Sequence, residues 1–193
     1  MAATTIKRVG FGQVEPNHLS AQRTAQIYAQ LPAKDDIDIL ENGQYVKYDY
    51  AKGVVDFDGP GEWMMVFNEV KLYDDRWRES YKDFAMIKEH YTPGSDITHE
   101  GIGPFKGQMT PRVIKTNVGD IYTTNAVGAG NTSGKAEYAG IDLDLGDKLV
   151  VNATDGFLKK ADGDVANADM VWQVVKVYTM PDGQPAVKVM RIK

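Results

Sequence analysis

Leu40-Glu41-Asn42-Gly43-Gln44-Tyr45-Val46-Lys47-Tyr48-Asp49 runs into Gly53-Val54-Val55, and later in the chain Leu145-Gly146-Asp147-Lys148-Leu149-Val150-Val151-Asn152 runs into Gly156-Phe157-Leu158. In both passages one glycine follows the other by ten positions, with a β-rich run between them. Each passage leads to a tryptophan strand with a similar ending. Trp63 runs to Val70-Lys71-Leu72-Tyr73, and Trp172 to Val175-Lys176-Val177-Tyr178. Glycine at such spacing supplies the φ > 0 that short turns need, so the pattern predicts a scaffold built from antiparallel hairpins. The pair 40–73 and 145–178 reads either as an internal pseudo-repeat or as similar punctuation on unrelated hairpins.

Working outward, Ala51-Lys52-Gly53 predicts a turn between strands at 45–50 and 54–57, and Asp155-Gly156 a second hairpin tip. The Trp63-Met64-Met65-Val66-Phe67 run is apolar on both faces, which marks a central strand. Pro181-Asp182-Gly183 predicts the last turn, between strands at 170–180 and 186–193. Val (19) outnumbers Leu (8) and there are 10 Tyr, a bias that suits pleated sheet rather than a helix bundle.

Two regions break this pattern. Residues 1–39 are sparse in hydrophobics and read either as a disordered terminus or as an extended arm that orders on a partner, with a helix from Leu19 to Leu31 that Ser20 caps and Pro32 ends. Phe11, Val14, Ile27, Tyr28 and Leu31 give this arm apolar groups to bury on a partner. Residues 74–110 predict a short helical insertion from Arg76 to about His90, capped by Asp74-Asp75, with Trp77, Tyr81 and Phe84 as its stripe. The body is then 40–193.

Composition narrows function. A net charge of −5 argues against a general phosphate-binding surface, so no direct nucleic-acid partner is expected. The absence of cysteine excludes disulfides, thiolate catalysis and zinc–thiolate sites. No apolar run approaches the roughly 18 residues that span a bilayer, and Met1–Arg8 lacks an apolar signal core, so the chain is expected to be made and kept in the cytoplasm, or assembled there into something larger.

Motifs for chemistry are weak. A P-loop around Gly134-Lys135 fails at Ala129 and Ala136. Asp142, Asp144 and Asp147 alternate with Ile141, Leu143 and Leu145, which describes a strand with one wet face better than a calcium ladder. His18, His90 and His99 fit no metal-ligand spacing, and Glu62 with Glu69 reads as strand-end residues rather than an acid/base couple. The four serines avoid G-x-S-x-G. Tyr45, Tyr48, Tyr50 and Trp63 would serve as a sugar-stacking platform if they lay exposed. Neither catalytic residue, metal nor cofactor is expected.

The passages at 40–48 and 145–151, with the closing strands Val171-Trp172-Gln173-Val174-Val175 and Val187-Lys188-Val189, resemble the cement or decoration proteins of tailed-phage heads. The resemblance implies a mainly β fold, with a β-barrel or β-tulip body and an extended N-terminal arm laid across capsomers. It implies a non-enzymatic virion protein on the capsid surface, with the major capsid protein as partner and self-association on the shell. On that reading Phe11, Tyr28 and Leu31 anchor the arm, while Lys7, Arg8 and Arg23 meet acidic capsid surface. Deleting residues 1–31 should then abolish binding and spare the body. The helical insertion departs from the simplest members of that family. Alternatives are a tail-tube, connector or fibre-base subunit, or a carbohydrate-binding β-module.

Overall fold

A computed structural model describes residues 3–8, 10–23, 27–68, 85–88, 108–128 and 140–193. The first half contributes β1 (Thr4–Ile6), β2 (Val14–His18), the single-turn α1 (Ser20–Arg23), β3 (Ile27–Tyr28), β4 (Ile39–Glu41), β5 (Tyr45–Asp49), β6 (Val54–Asp56) and β7 (Met64–Val66). Then come β8 (Ala85–Ile87), β9 (Val113–Ile114), β10 (Ile121–Thr124), β11 (Ile141–Leu143), β12 (Lys148–Val151), β13 (Leu158–Lys160), β14 (Val171–Thr179) and β15 (Pro185–Arg191). All the strand pairs in the sheets are antiparallel.

The two passages that rhyme in sequence fold alike. Gly43 and Gly146 take φ 88 and 91, and Gly53 and Gly156 take φ 70 and 74. Gly43 N donates to Val66 O at 2.9 Å and Gly146 N to Val174 O at 2.8 Å. The side chain three residues on closes each turn: Gln44 Oε1 accepts from Glu41 N at 2.5 Å, and Asp147 Oδ2 from Asp144 N at 2.8 Å. At the hairpin tips Gly53 N reaches Asp49 O at 2.8 Å, and Gly156 N reaches Asn152 O at 2.7 Å. These are turns in which a short polar side chain substitutes for a backbone partner.

The likeness extends to whole sheets. Module 1 has the strand order β3-β9-β7-β5-β6, and module 2 has β10-β15-β14-β12-β13 with β2 added outside β10. Beside the outer hairpin strand a parallel bridge forms in each, Ala33 with Val55 and Val127 with Leu158. A separate strand pair, β4-β8 or β1-β11, completes each module. The expected mainly β fold of antiparallel strands is present, as two similar sheets, and among the described residues neither sheet closes into a barrel.

One register detail explains the core. Val46 pairs with Met64 as Leu149 pairs with Trp172, so the equivalent of Trp172 is Met64 and not Trp63. A one-residue offset turns a side chain to the other face of a sheet. Alternation along β5, β7 and β9 sends Tyr45, Met65 and Ile114 into the larger core with Tyr122, Leu149, Leu158, Trp172, Val174 and Val189. Their neighbours Val46, Met64, Val66 and Val113 face a second core, closed by Leu40 and Met86 of β4 and β8. The module 1 sheet is thus buried on both sides, and its back packs on the interior of module 2. The central strand expected at 62–73 is described as β7, Met64–Val66, and all three of its residues are buried.

Three expectations are corrected. Residues 1–39 are not an extended arm in this fold: they supply β1, β2, β3 and the start of β4, and Ile6, Leu19 and Ala21 lie in the larger core. The helix expected from Leu19 to Leu31 is the single turn Ser20–Arg23, and Ile27–Tyr28 pairs with Ile114 and Val113 as an edge strand. Tertiary pairing there overrides a weak helical period. The last part of the helix expected at 76–90 is β8, held against β4 by Leu40 opposite Met86. The remainder of that helix, with Trp77, Tyr81 and Phe84, lies outside the described residues.

Candidate functional site

The six residues expected to bind a capsid lie on several different elements and connections of the fold. Lys7 is exposed at the end of β1. Arg8 is buried: its Nη2 lies 3.3 Å from Glu41 Oε2, and its guanidinium sits 4.4 Å above the Phe157 ring. Glu41 Oε2 also accepts from Gly12 N at 2.7 Å, and a side chain at Gly12 would put its Cβ 2.2 Å from Asn42 O. Arg8 is therefore committed to the seam between the modules and is withdrawn as a surface contact. A planar guanidinium suits this place, because it meets a carboxylate and an aromatic face at once.

Phe11 is half-buried, and Arg23 ends α1. Tyr28 and Leu31 are half-buried against the second core, Tyr28 standing edge-on to Tyr48 at 6.5 Å. They are integral to module 1, on the opposite side of its sheet from the larger core that takes Ile6.

A cleft of about 450 Å³ opens where the modules meet, with Lys47, Asp58 and Trp63 on one wall and Val150, Lys159 and Asp164 on the other. A neighbouring hollow of about 340 Å³ includes Glu62, Asp169 and Arg191. Lys47 Nζ lies 4.6 Å from the Trp63 ring centre and 3.4 Å from Asp169 Oδ2. It covers the indole that a sugar ring would need. Trp63 is 7% exposed, Tyr48 2% and Tyr45 0%, whereas Tyr50 is 68% exposed. Three of the four aromatics of the sugar platform are therefore packing residues.

The acidic run is absorbed by local structure. Asp142 Oδ1 accepts from Thr5 Oγ1 at 2.5 Å, and Asp147 pairs with Lys160 Nζ at 2.7 Å. Burial works to raise the Asp147 carboxyl, but Lys160 and the Asp144 N–H outweigh it and hold the group below the usual carboxylate range. The alternation expected there holds for Ile141–Leu143 and then yields to the turn, which leaves Leu145 63% exposed. Among the described residues no three His, Cys, Asp or Glu side chains form a metal cluster. His18 is exposed on β2, while His90, His99, Glu69 and most of the glycine-rich segment 128–140 lie outside the described residues. Glu62 forms an ion pair with Lys115.

What the sequence did not reveal lies at the seam. The Tyr45 and Tyr122 hydroxyls share a hydrogen bond of 2.9 Å in a fully buried place, with Trp172 edge-on to Tyr122 at 5.0 Å. Burial pushes both phenols up, so both stay neutral. Alternation marks Tyr45 as an inward residue, but its partner 77 residues away has no sequence signal.

No protein-family model, curated protein or solved structure matches this chain. The functional reading therefore rests on surfaces.

The back of module 2, equivalent to the buried back of module 1, is unlike it. Register places Lys148, Gln173, Met190 and Ile121 in one row, Val150 opposite Lys159, and Lys176 opposite Lys188. Lys148, Lys159 and Lys176 are exposed and Lys188 half-buried. None of the four has an ion-pair partner among the described residues. Lys176 and Lys188 both approach the Tyr178 ring, at 5.6 and 6.0 Å. Like charges directly opposite on a sheet repel.

Proposed function

We propose that this chain is a non-enzymatic virion structural protein that binds and stabilises a tailed-phage capsid shell, with the major capsid protein as its partner. The observation that carries this reading is the lysine-bearing back of module 2 on a chain of net charge −5. Four cations without an ion-pair partner among the described residues, interleaved with Val150, Met190 and Tyr178, suit an acidic protein surface that also offers apolar contact. This face takes the role first expected of Lys7, Arg8 and Arg23. The resemblance of both module passages to phage cement proteins points to the same class of partner.

The physical logic is linkage. A rigid body that binds assembled subunits in preference to free ones stabilises the shell. Repetition over the lattice adds avidity. The buried aromatics remove the specific support for a carbohydrate-binding module.

The test is to mix the protein with shells of its source phage and image them by cryo-electron microscopy. Regular density on the shell, with the back of module 2 at the contact, is the expected result. Bare shells beside free protein would overturn the proposal.

A further inference from the structure

Two equivalent places in the fold are filled from different parts of the chain. In module 1, β4 pairs with β8, which arises between β7 and β9 of that same module. In module 2 the equivalent strand, β11, pairs with β1, which precedes all of module 1. Where module 1 carries the segment that includes β8, module 2 passes from β14 to β15 through the turn at Met180–Gln184. Module 2 is thus completed by a strand from outside its own contiguous stretch.

The place that β1 occupies has the features of a recognition site. Thr4, Thr5 and Ile6 pair with Leu143, Asp142 and Ile141. Ile6 is 1% exposed in the larger core, and the Thr5 hydroxyl is held by Asp142. A Cβ at Gly140 would lie 2.7 Å from Thr5 Cγ2, so the Thr5 side chain occupies the space that a residue larger than glycine would need there. Two residues after Ile6, Arg8 enters a buried receptor made of the Glu41 carboxylate and the Phe157 ring. After Arg8 the chain turns at Gly10, φ 79, and is then fastened by Gly12 N to Glu41 and by Gln13 N to Asn125 Oδ1 at 2.8 Å. Residues 3–8 therefore form one insertable unit, with its hinge before Gly12.

We propose that the β11 edge, with Glu41 and Phe157, is a strand-acceptor site that takes residues 3–8 of a second copy of this chain. Every contact described above re-forms when the unit comes from a neighbour, so concentration decides between closed and exchanged forms. The proposal stands on the geometry of the two modules and is independent of the capsid reading.

The chain contains no cysteine, so two substitutions report on the paired positions. A Thr5→Cys chain and an Asp142→Cys chain are mixed at high concentration in a thiol–disulfide redox buffer. The expected product is a covalent dimer joined 5 to 142, at roughly tenfold the yield of a control mixture of Thr5→Cys with Asp162→Cys, as effective concentration at a shared site requires. The Thr5→Cys/Asp142→Cys double variant closes the bond within one chain in dilute solution. Closure in the double variant with equal yields in the two mixtures would overturn exchange. Failure of the double variant to close would overturn the register on which the site rests. No shell is present in this experiment, so its outcome is separate from that of capsid binding.

Discussion

Gly53 and Gly156 hold the same position in two equivalent hairpins, yet only Gly156 is pressed against a neighbour. A Cβ on Gly53 meets nothing within 4 Å, whereas one on Gly156 would lie 2.2 Å from Tyr45 O and 2.8 Å from the Phe57 ring. Tyr45 N donates to Gly156 O at 2.7 Å, so this hairpin tip is where module 2 grips module 1.

The two glycines should therefore respond differently to alanine. Gly53→Ala carries only the strain of positive φ, about 1 kcal/mol. Gly156→Ala adds a backbone collision and should cost at least ~3 kcal/mol. Urea unfolding of both variants checks this, and equal losses would show that the seam does not depend on the tip.

Arg8 and Glu41 are each about 1% exposed at the side chain, so neither charge tolerates loss of the other. Arg8→Met or Glu41→Gln alone should destabilise by about 3–5 kcal/mol, because the remaining ion is left buried. The double variant Arg8→Met/Glu41→Gln should recover a large part of that loss. A double-mutant cycle with coupling near zero would contradict the pairing.

Removal of residues 1–31 takes away Ile6, Leu19 and Ala21 from the larger core, together with β2 from the edge of module 2. Full burial of Ile or Leu contributes about 1.5–3 kcal/mol each, which is a large share of a domain's net stability. The truncated chain is therefore expected to lose cooperative unfolding, observed by near-ultraviolet circular dichroism and calorimetry. This reverses the expectation that the body survives without its first residues. A sharp native transition in the truncated chain would restore the arm reading.

The contrast between hairpins and N-terminal segment shows what was legible in the sequence. Gly43, Gly53, Gly146 and Gly156 advertise their turns because positive φ is a local demand with a local residue signature. The exchange of inward and outward faces between Trp63 and Trp172 was hidden, since a one-residue offset is fixed by pairing and not by composition. The Arg8 contact was hidden for a similar reason: Glu41 is 33 residues away and nothing local announces it. Ile27 and Tyr28 satisfied a helical period but were claimed by β9. The candidate surface was the least legible part. Lys176 and Lys188 become a pair only through the irregular register between Val174 and Lys176.

The two turn-closing side chains give a pH prediction. Gln44 is neutral at its place in module 1, while Asp147 at the equivalent place carries a depressed carboxyl group held by Lys160 and Asp144 N–H. A depressed folded-state value means that this stabilisation is fully present above the unfolded value, near 4, and is lost as pH falls through the folded value. Asp147→Asn should cost about 1 kcal/mol at pH 7, from the charge-assisted bond. Its penalty should begin to shrink as pH falls below about 4 and disappear below the depressed folded-state value, where the wild-type group is protonated in both states. Unfolding measured from pH 2 to 7 checks this, and a pH-independent penalty would refute it.

Tyr45 and Tyr122 offer the most specific test of the seam. Each hydroxyl is buried and bonded to the other, so Tyr45→Phe leaves the Tyr122 hydroxyl without that bond, and Tyr122→Phe does the converse. Each single change should cost about 1–3 kcal/mol, because a buried hydroxyl loses its partner. The double change Tyr45→Phe/Tyr122→Phe removes both polar groups while keeping both rings in contact with Trp172, so it should be less costly than the sum of the two singles. Chemical denaturation of the three variants decides the point. If the two single losses simply add in the double variant, the two hydroxyls do not bond to each other across the seam.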